Sequence, residues 1–462
     1  MAYDYDLVVI GAGPGGYVAA IRASQLGMKA AVIEKDKPGG VCLNIGCIPS
    51  KALIHQADIF QSIKDLEDMG VQVDTSAFEY GKVFQKSRKA ADMLSKGVSF
   101  LLKKNKVEYI EGTATLAGPN EVTMDSGKKV SGKSIIVATG SRPREIPGFS
   151  FDEKTVLSSD GALMLETLPK SIIILGGGFI GVEFAHIMNS FGVEVNVVEL
   201  LDRLLPIEDE ESSTVVTRSF KKRKIGIYTS TRAMGMKKAK GGVVLSVEKK
   251  DGEKAELEAE KLLVVVGRAP NTENIGLDKV GITTDKGFIP VGDYYQTSVP
   301  SIYAIGDVVA TPQLAHVASK EGEIAVEHMA GRSPVPKIDP HVIPSAVYCE
   351  PQVASFGYKE YEAQQQGLNY KKAVFPYRGA GKSVAIEKPE GHVKILYDPE
   401  TAEILGAHVA GSEATELIHE LLLAKSAELL PADIADMIHA HPTLSEALME
   451  AARTAEGWAI HV

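Results

Sequence analysis

Two cysteines, Cys42 and Cys47, stand five positions apart within the glycine-rich segment 39–51. Residues i and i+5 do not share a face of a regular helix, so a bond between their sulfurs requires a distorted turn, which Gly46 and Pro49 both favour. A disulfide in so small a loop stabilises little and is easily reduced, which is typical of redox chemistry. Two reduced core thiols or half of a metal site are the alternatives, although no zinc-finger spacing of cysteines or histidines follows.

The composition of the chain limits where it can act and on what. Its 462 residues allow about three or four domains, and 44% hydrophobic and 24% charged residues are ordinary for a globular protein. A net charge of −10 argues against nucleic acid as a partner, and no apolar run reaches the length of a membrane span. Asp4 and Asp6 argue against a signal peptide. With three cysteines we expect the cytoplasm, or the mitochondrial matrix if a transit peptide was removed before residue 1.

The cysteines lie in the continuation of a strand–turn–helix–strand module. Tyr5–Ile10 predicts a strand, 11–16 a glycine turn, Tyr17–Leu26 a helix, and Lys29–Ile33 a second strand that ends on Glu34. Glycines allow backbone N–H groups to approach a pyrophosphate, which the helix N-terminus attracts. Glu34 stands where a carboxylate can accept hydrogen bonds from a ribose. The segment therefore predicts a dinucleotide site.

The same module recurs further along the chain. Its strand, glycine turn, helix and second strand are Ser171–Leu175, 176–181, Val182–Phe191 and Val193–Val198. From first glycine to terminal acid, Gly11 to Glu34 and Gly176 to Glu199, both copies span 23 positions. Two copies predict two nucleotides, and both acids suit a free 2′-hydroxyl, so the second site should prefer NAD over NADP. Arg203, shortly after the second acid, is the one residue nearby that argues against this preference for NAD.

The nucleotide on the first module should be the redox partner of the cysteines, because they lie in that module's continuation. A flavin fits this role, since it takes two electrons from thiols and passes a hydride to a nicotinamide. Three further runs, 135–141, 262–271 and 302–307, each read as a buried strand that delivers glycine and a polar residue to a ligand. Proline-containing connectors lie at 142–148 and 332–344.

The C-terminal part of the chain carries no nucleotide fingerprint. Strand-like runs with turns fill 345–397, and 413–428 and 431–438 read as helices, which predicts an α+β segment. Before it, the lysine-rich stretch 237–261 is typical of a solvated hairpin with its turn at Asp251-Gly252.

The segment His439–Glu446 opens the final predicted helix. Thr443 and Glu446 have the spacing of a capping box, which is a sufficient structural reason for the glutamate. In the functional interpretation, Glu446 orients His441, and His441 acts as a base toward a thiol. His439 is better explained by ordinary packing.

These segments resemble those of the pyridine nucleotide–disulfide oxidoreductases over nearly the whole chain. The segments that carry the resemblance are both glycine turns, 40–51, 138–141, 267–268, 306–307 and 439–446. The resemblance implies an α/β fold with two Rossmann-like dinucleotide-binding domains, for FAD and NAD, and a C-terminal α+β dimerisation domain. The implied limits are 1–142 for the FAD domain with the redox disulfide, 143–268 for the NAD domain, 269–337 for a central domain completing the FAD site, and 338–462 for the dimerisation domain with the catalytic histidine.

The resemblance also implies roles for individual residues. Cys47 would face the flavin, Cys42 would exchange with the substrate, and Lys51 would pair with Glu183 beside the flavin. The implied catalytic residues are Cys42, Cys47, Lys51, Glu183, His441 and Glu446. The implied FAD contacts are Gly11, Gly13, Gly16, Glu34, Lys35, Gly40, Val41, Lys51, Ala114, Thr139, Gly140, Ser141, Asp307, Gln313, Leu314, Ala315 and His316. The implied NAD contacts are Gly176, Gly178, Phe179, Ile180, Gly181, Glu183, Glu199, Ala233 and Gly267, and no metal is implied.

The implied activity is the oxidation of protein-bound dihydrolipoamide to lipoamide with NAD+ as acceptor, by a homodimer in which His441 serves the cysteines of the other subunit. The implied partner is the lipoyl-bearing acyltransferase of a 2-oxoacid dehydrogenase complex or the carrier of a glycine cleavage complex. One alternative is an NAD(P)H-dependent reductase of another small disulfide, which Phe179 favours because relatives acting on glutathione-type disulfides have a gating aromatic there. Another is a flavoprotein scaffold or docking subunit. Cys349 is interpreted as a structural thiol.

Overall fold

A computed structural model describes residues 3–461 of the protein. The first sheet has strands β1 (Tyr5–Ile10), β2 (Ala30–Glu34), β3 (Glu108–Glu111), β4 (Ala114–Gly118), β5 (Glu121–Met124) and β6 (Lys129–Val137), with helices α1 (Pro14–Gln25), α2 (Gly40–Ile45), α3 (Cys47–Gln61), α4 (Ile63–Asp68) and α5 (Tyr80–Lys104). Its order is β3-β2-β1-β6-β5-β4. The first four strands of that order pair in parallel, and β4 and β5 extend β6 as an antiparallel hairpin.

The second sheet repeats this arrangement. Its segment comprises β7 (Ser141–Pro143), β8 (Val156–Leu157), β9 (Ser171–Leu175), β10 (Glu194–Val198), β11 (Gly226–Tyr228), β12 (Thr231–Ala239), β13 (Gly242–Lys249), β14 (Lys254–Ala259), β15 (Lys261–Val264) and β16 (Arg268–Pro270), with α6 (Ser159–Leu163), α7 (Phe179–Ser190) and α8 (Glu210–Lys222). The order β11-β10-β9-β15-β8 is parallel throughout. The repeated strand–turn–helix–strand prediction is therefore confirmed.

The helices of both modules begin earlier than the sequence pattern predicted. Helix α1 begins at Pro14 rather than Tyr17, and α7 begins at Phe179 rather than Val182. Proline is favoured in a first turn, where its missing N–H has no intrahelical partner to lose. The helix N-terminus thus opens directly onto each glycine turn, which is where an anion would be attracted.

Two small sheets adjoin the parallel ones. Strands β12, β13 and β14 form an antiparallel sheet, and the β13–β14 turn contains Asp251 and Gly252 as predicted. Strand β7 pairs with β16 where the chain enters and leaves the second module. The chain then returns to the first sheet, because β17 (Ile302–Ala304) pairs with β6 in parallel and α9 (Ala315–Met329) packs on α1. Short 3₁₀ turns lie at Asp278–Val280, Asp293–Tyr295 and Gly306–Val308.

The C-terminal unit is an antiparallel sheet covered by helices. Its elements are β18 (Ser345–Val347), β19 (Gln352–Gly357), β20 (Lys371–Pro376), β21 (His392–Tyr397), β22 (Ile404–Gly411), α10 (Glu360–Gln366), α11 (Gly381–Ala385), α12 (Ala414–Ser426), α13 (Pro431–Asp436) and α14 (Glu446–Ala455). The order is β18-β19-β22-β21-β20. Apolar residues of α12 and α14 share one core with Phe356, Phe375 and Tyr377. Within residues 3–461, no helix is both long and apolar enough to cross a membrane.

Candidate active site

The two cysteines stand on either side of a break between two helices. Helix α2 ends before Gly46, whose φ of −148° and ψ of −116° are not helical, and α3 begins at Cys47. A side chain at position 46 would approach the carbonyl oxygen of Val41 to 2.9 Å, so glycine allows the tight junction. Pro49 was expected to favour the distorted turn. It lies instead in the first turn of α3, where its missing N–H removes no intrahelical hydrogen bond.

The structure contains both cysteines as free thiols. Interaction with the Cys42 thiol lowers the pKa of Cys47 to about 7; burial opposes the shift, and the nearby charge of Lys51 supports it. The pKa of Cys42 is raised, first by its interaction with Cys47 and then by burial. Cys47 is exposed to solvent. Cys47 is therefore the thiol of the pair that ionises first.

Lys51 connects three parts of the fold beside this thiol. Its Nζ lies 2.9 Å from both carboxylate oxygens of Glu183 on α7 and 4.5 Å from the ring centre of Tyr348 in the C-terminal unit. Burial lowers the pKa of Lys51, but the ion pair with Glu183 outweighs it, so the net shift is upward. The backbone N–H of Tyr348 donates to Glu183 over 3.2 Å. The ammonium group thus stays charged next to Cys47. The sequence carried no signal for Tyr348.

The first glycine turn is held by the acid at the end of β2. The carboxylate of Glu34 accepts the N–H of Ala12 at 2.7 Å and that of Asp36 at 2.9 Å. A side chain at Gly11, whose φ is +104°, would collide with the carbonyl oxygen of Ala138. At Gly13, by contrast, a side chain would meet nothing within 4 Å. The turn therefore leaves open space at the N-terminus of α1, which a pyrophosphate could fill.

The second glycine turn repeats this geometry. The carboxylate of Glu199 accepts the N–H of Gly177 at 2.6 Å and that of Leu201 at 2.8 Å. Gly176 has a φ of +115°, and a side chain at Gly178 would meet nothing within 4 Å. The two predicted dinucleotide turns therefore share three features: a glutamate at the strand end, two backbone N–H groups that donate to it, and a glycine with open space beside it.

A polar cluster lies where the chain leaves the paired strands β6 and β17. Asp307 accepts a hydrogen bond from the hydroxyl of Ser141, and Arg268 Nε donates to that hydroxyl over 2.7 Å. The N–H of Gly306 donates to Glu321 over 2.6 Å, and burial raises the pKa of Glu321 to about 7. The sequence patterns assigned no role to Arg268, which follows Gly267, or to Glu321. The one signal for Glu321 was its position as an acid on the apolar face of α9.

Three buried polar atoms in this part of the chain lack a partner. They are Thr311 Oγ1, Gln313 Nε2 and Glu321 Oε1, and none has a hydrogen-bond partner within the part of the chain that the structure describes. Buried polar atoms are normally paired, so these unpaired atoms fit a site that receives a polar group. The residues present therefore fit a dinucleotide at the first module.

The remaining predicted cofactor residues lie at several places around the two clefts. Gly40 packs against Gly13, Val41 follows it in α2, and Lys35 is exposed after β2. Ala114 is buried in β4, Thr139 donates to the carbonyl of Asn271 at 2.7 Å, and Gly140 has a φ of +69°. Leu314 caps the start of α9, Ala315 is its first residue, and His316 Nε2 lies 2.9 Å from the carbonyl oxygen of Pro344. Gly16 and Gly181 each pack on the carbonyl of their turn's first glycine, Phe179 and Ile180 are half-buried at the start of α7, Ala233 lies in β12, and Gly267 has a φ of +114°.

His441 forms a second chemical unit, in the loop before α14. Its Nδ1 lies 2.9 Å from Glu446 Oε1, and Glu446 Oε2 accepts the N–H of Thr443 at 2.9 Å. Burial raises the pKa of Glu446, but the bonds from Thr443 and His441 outweigh it and lower that pKa. His439 is bound to Glu420 at 2.8 Å. Glu446 thus serves the loop and the histidine at once, with one oxygen for each.

Among residues 3–461, no hydrogen bond or ion pair joins His441 to Cys42 or Cys47. The polar partner of His441 is Glu446. The side chain of His441 is 76% exposed. An imidazole that is fixed at one end and open to solvent at the other is free to meet a second molecule.

Two dinucleotide folds that share one thiol pair and one half-buried lysine define an oxidoreductase that moves electrons between a dithiol and nucleotide cofactors. The chain belongs to the pyridine nucleotide-disulphide oxidoreductases: the family model matches residues 5–322, and the model of the family's dimerisation domain matches residues 343–452. This family uses FAD and NAD(H), and its dimerisation domain makes the protein a homodimer.

Comparisons with single proteins agree with this family. The chain is 44% identical to a dihydrolipoyl dehydrogenase of Bacillus subtilis, with 100% of each chain covered. Among solved structures it is similar to LpdA from Mycobacterium tuberculosis, with a TM-score of 0.89, 27% identity and coverage of 97% of this chain and 99% of that one. It is also similar to the flavoprotein disulfide reductase RclA from Escherichia coli, with a TM-score of 0.85, 25% identity and coverage of 96% and 98%.

Proposed function

We propose that the protein oxidises the dithiol of dihydrolipoamide, carried on a lipoyl-bearing protein, to lipoamide, with NAD+ as the final acceptor. The observation that carries this proposal is the thiol pair Cys42 and Cys47 at the break between α2 and α3, beside the Lys51–Glu183 ion pair. Full-length similarity to dihydrolipoyl dehydrogenases supports the choice of substrate.

The chain supplies a base of defined orientation for this reaction. A carboxylate can only accept, so the 2.9 Å contact with Glu446 places the proton of His441 on Nδ1. Nε2 is then unprotonated and exposed, and it can take the proton of a substrate thiol. The reaction starts from the oxidised protein, in which Cys42 and Cys47 would form a disulfide. The substrate thiolate attacks Cys42 Sγ, the Cys42–Cys47 bond breaks, and Cys47 leaves as a thiolate.

The second half of the exchange regenerates the base. The other substrate thiol attacks the substrate sulfur bound to Cys42, which closes the lipoamide disulfide and breaks the bond to Cys42. The proton of this second thiol passes to Cys42 as it leaves, and the proton held by His441 is released to solvent. Two electrons have then moved from the substrate to the cysteine pair. Cys47 is a good leaving group because its pKa is low, and Lys51 stabilises its charge.

The cofactors would be held by the two glycine turns. Residues Gly11–Gly16, Glu34, Ser141 and Asp307 would hold FAD, and Gly176–Gly181 with Glu199 would hold NAD. When bound, FAD accepts two electrons from the thiols and passes them on as hydride to NAD+. Arg203 is engaged away from the ribose position, since it donates to the carbonyl of Pro206 at 3.1 Å and lies over the ring of Tyr361. This supports NAD over NADP.

The wider setting of the reaction follows from its substrate. A lipoyl group attached to an acyltransferase or to a glycine cleavage carrier would reach the thiol pair from outside. A reducing compartment, the bacterial cytoplasm or the mitochondrial matrix, would keep the third cysteine, Cys349, as the buried thiol that the structure contains.

The test is the formation of NADH from dihydrolipoamide and NAD+ by the purified flavin-containing protein. His441→Gln should lower kcat by about 10³-fold or more while the flavin stays bound, because the base is lost. His419→Gln is the matched control, since His419 is exposed on α12 of the same unit. Equal loss in both variants, or faster reduction of a glutathione-type disulfide with NADPH, would contradict the proposal.

A further inference from the structure

Three helices meet at a buried histidine behind the thiol pair. His186 on α7 is fully buried, and its Nε2 lies 3.0 Å from a carboxylate oxygen of Asp58 on α3. Its Nδ1 lies 2.8 Å from Nη1 of Arg223, the residue that follows α8. Neither the sequence patterns nor the proposed reaction assigns a role to this chain of three side chains.

The chemistry of the three groups fixes which of them donates and which accepts in each hydrogen bond. A guanidinium group only donates, so Nδ1 of His186 must accept from Arg223. The remaining proton of the neutral ring then lies on Nε2 and is donated to Asp58. Arg223, His186 and Asp58 therefore form a directed donor–acceptor chain with one possible arrangement of protons.

Arg223 also holds the end of α7. Its Nη2 donates to the carbonyl oxygen of His186 and to the hydroxyl of Ser190, both at 3.1 Å, and its Nε donates to Asn189 at 3.0 Å. These bonds satisfy a carbonyl and two side chains in the last turns of the helix, where a positive charge is also favoured by the helix dipole. Helix α7 is thus attached to α8 at this end and to α3 through His186.

The contact with Asp58 is the second polar link between α3 and α7. The first is Lys51–Glu183, which lies beside Cys47. On α3, Lys51 and Asp58 are seven residues apart, and on α7, Glu183 and His186 are three residues apart, so each pair shares a face of its helix. The buried side chains of α3 between these links, Leu53, Ile54 and Ala57, are apolar and non-directional. Two polar links fix both the rotation and the sliding of one helix on the other, which apolar packing alone does not.

We propose that Asp58, His186 and Arg223 are positioning residues of the thiol centre. By fixing α3 on α7, they keep the Lys51 ammonium between Glu183 and Cys47. The inference rests on the thiol centre of the proposed function, but it is independent of which dithiol substrate the protein oxidises.

The test measures how readily Cys47 is alkylated by iodoacetamide in the flavin-containing protein, as a function of pH. A Cys42→Ser background leaves Cys47 as the reactive thiol, since Cys349 is fully buried, and serine still offers a hydroxyl donor at position 42. We expect His186→Leu to move the apparent pKa of Cys47 upward and to slow alkylation at pH 6.5 by about three- to tenfold, because Lys51 is no longer held in place. His186→Gln should behave like its parent, because its amide can accept from Arg223 and donate to Asp58.

Two further variants keep the test decisive. Asp58→Ala should raise the pKa of Cys47 and slow its alkylation as His186→Leu does. Because Asp58 is half-exposed, its truncation leaves no buried cavity, so this variant replaces His186→Leu if the leucine variant fails to fold. Lys222→Ala removes an exposed ion pair with Glu390 at the same end of α8 and should change nothing.

An unchanged pH profile in Asp58→Ala, or a shift in His186→Gln as large as in His186→Leu, would overturn the inference. The assay uses neither dihydrolipoamide nor NAD. Failure of the protein to oxidise dihydrolipoamide would therefore refute the proposed function and leave this result standing.

Discussion

Glu446 shows how one residue can satisfy a structural and a chemical explanation together. The capping-box spacing predicted that its carboxylate would accept the N–H of Thr443, and the structure contains that bond. The other carboxylate oxygen faces His441 Nδ1. The other half of the box is absent, because the Thr443 hydroxyl contacts Ala440 and Ser445 instead of capping α14. The two interpretations of Glu446 are therefore not alternatives.

A pair of substitutions separates these two roles. A glutamine at position 446 has one accepting oxygen, and if that oxygen caps Thr443, its amide must donate to His441 Nδ1 and reverse the tautomer. Glu446→Gln should therefore keep its Tm within about 1 °C while kcat falls by about 10²- to 10³-fold. Glu446→Ala should lose both activity and about 1 kcal/mol of stability. Thermal melts and NADH formation measured on both variants check this; equal melting losses would contradict it.

The charges around Cys47 act in opposite directions. Lys51 lowers the pKa of Cys47 and Glu183 raises it, on top of the interaction with Cys42 that sets it near 7. Lys51→Met should therefore move the pH of half-maximal alkylation up by about one unit, and Glu183→Gln should move it down. Because the thiolate is the reactive form, Lys51→Met reacts more slowly at neutral pH and Glu183→Gln reacts faster. Shifts of the same sign in both variants would show that the two residues act through the fold rather than through charge.

At the scale of elements, the strongest prediction from the sequence was the repeated module. Local spacing carries it, because glycine, helix and acid lie within 23 residues of one another in each copy. The sequence did not predict what packs across modules. Tyr348 lies 297 positions after Lys51 and His186 lies 128 positions after Asp58, and no local pattern marks such pairs. The four domain limits stay predictions for the same reason.

The open glycine positions offer a test of the two modules as binding elements. Gly13 and Gly178 have backbone angles that any residue can adopt, and added side chains would meet no protein atom within 4 Å. Alanine there should leave the fold unchanged and obstruct only a bound pyrophosphate. Gly178→Ala should raise KM for NAD+ by about tenfold with full flavin content, whereas Gly13→Ala should yield protein depleted of flavin. Flavin absorbance and NAD+ titrations distinguish the two, and an identical phenotype would argue against separate sites.

At the scale of the whole molecule, the proposed site draws on several parts of the chain. Three segments meet at Lys51, from the first module, the second module and the C-terminal unit. His441, the base in the proposed function, is exposed, and within residues 3–461 no hydrogen bond or ion pair joins it to Cys42 or Cys47. A two-fold homodimer resolves this, because the same surface that carries His441 outward on one subunit can carry it toward the thiols of the other.

Mixed dimers test this arrangement directly. A subunit with His441→Gln keeps intact cysteines, and a subunit with Cys42→Ser keeps an intact histidine, so each homodimer should be nearly inactive. If the histidine acts across the interface, a mixed dimer contains one complete site and one doubly defective site. A randomly assorted mixture should then regain about a quarter of wild-type activity, since about half the dimers are mixed and each has one working site. Co-expression with two different affinity tags isolates the mixed dimer and should raise this to about half. Activity no higher than that of the separate variants would place His441 on the cysteines of its own chain, which the exposed position of its side chain argues against.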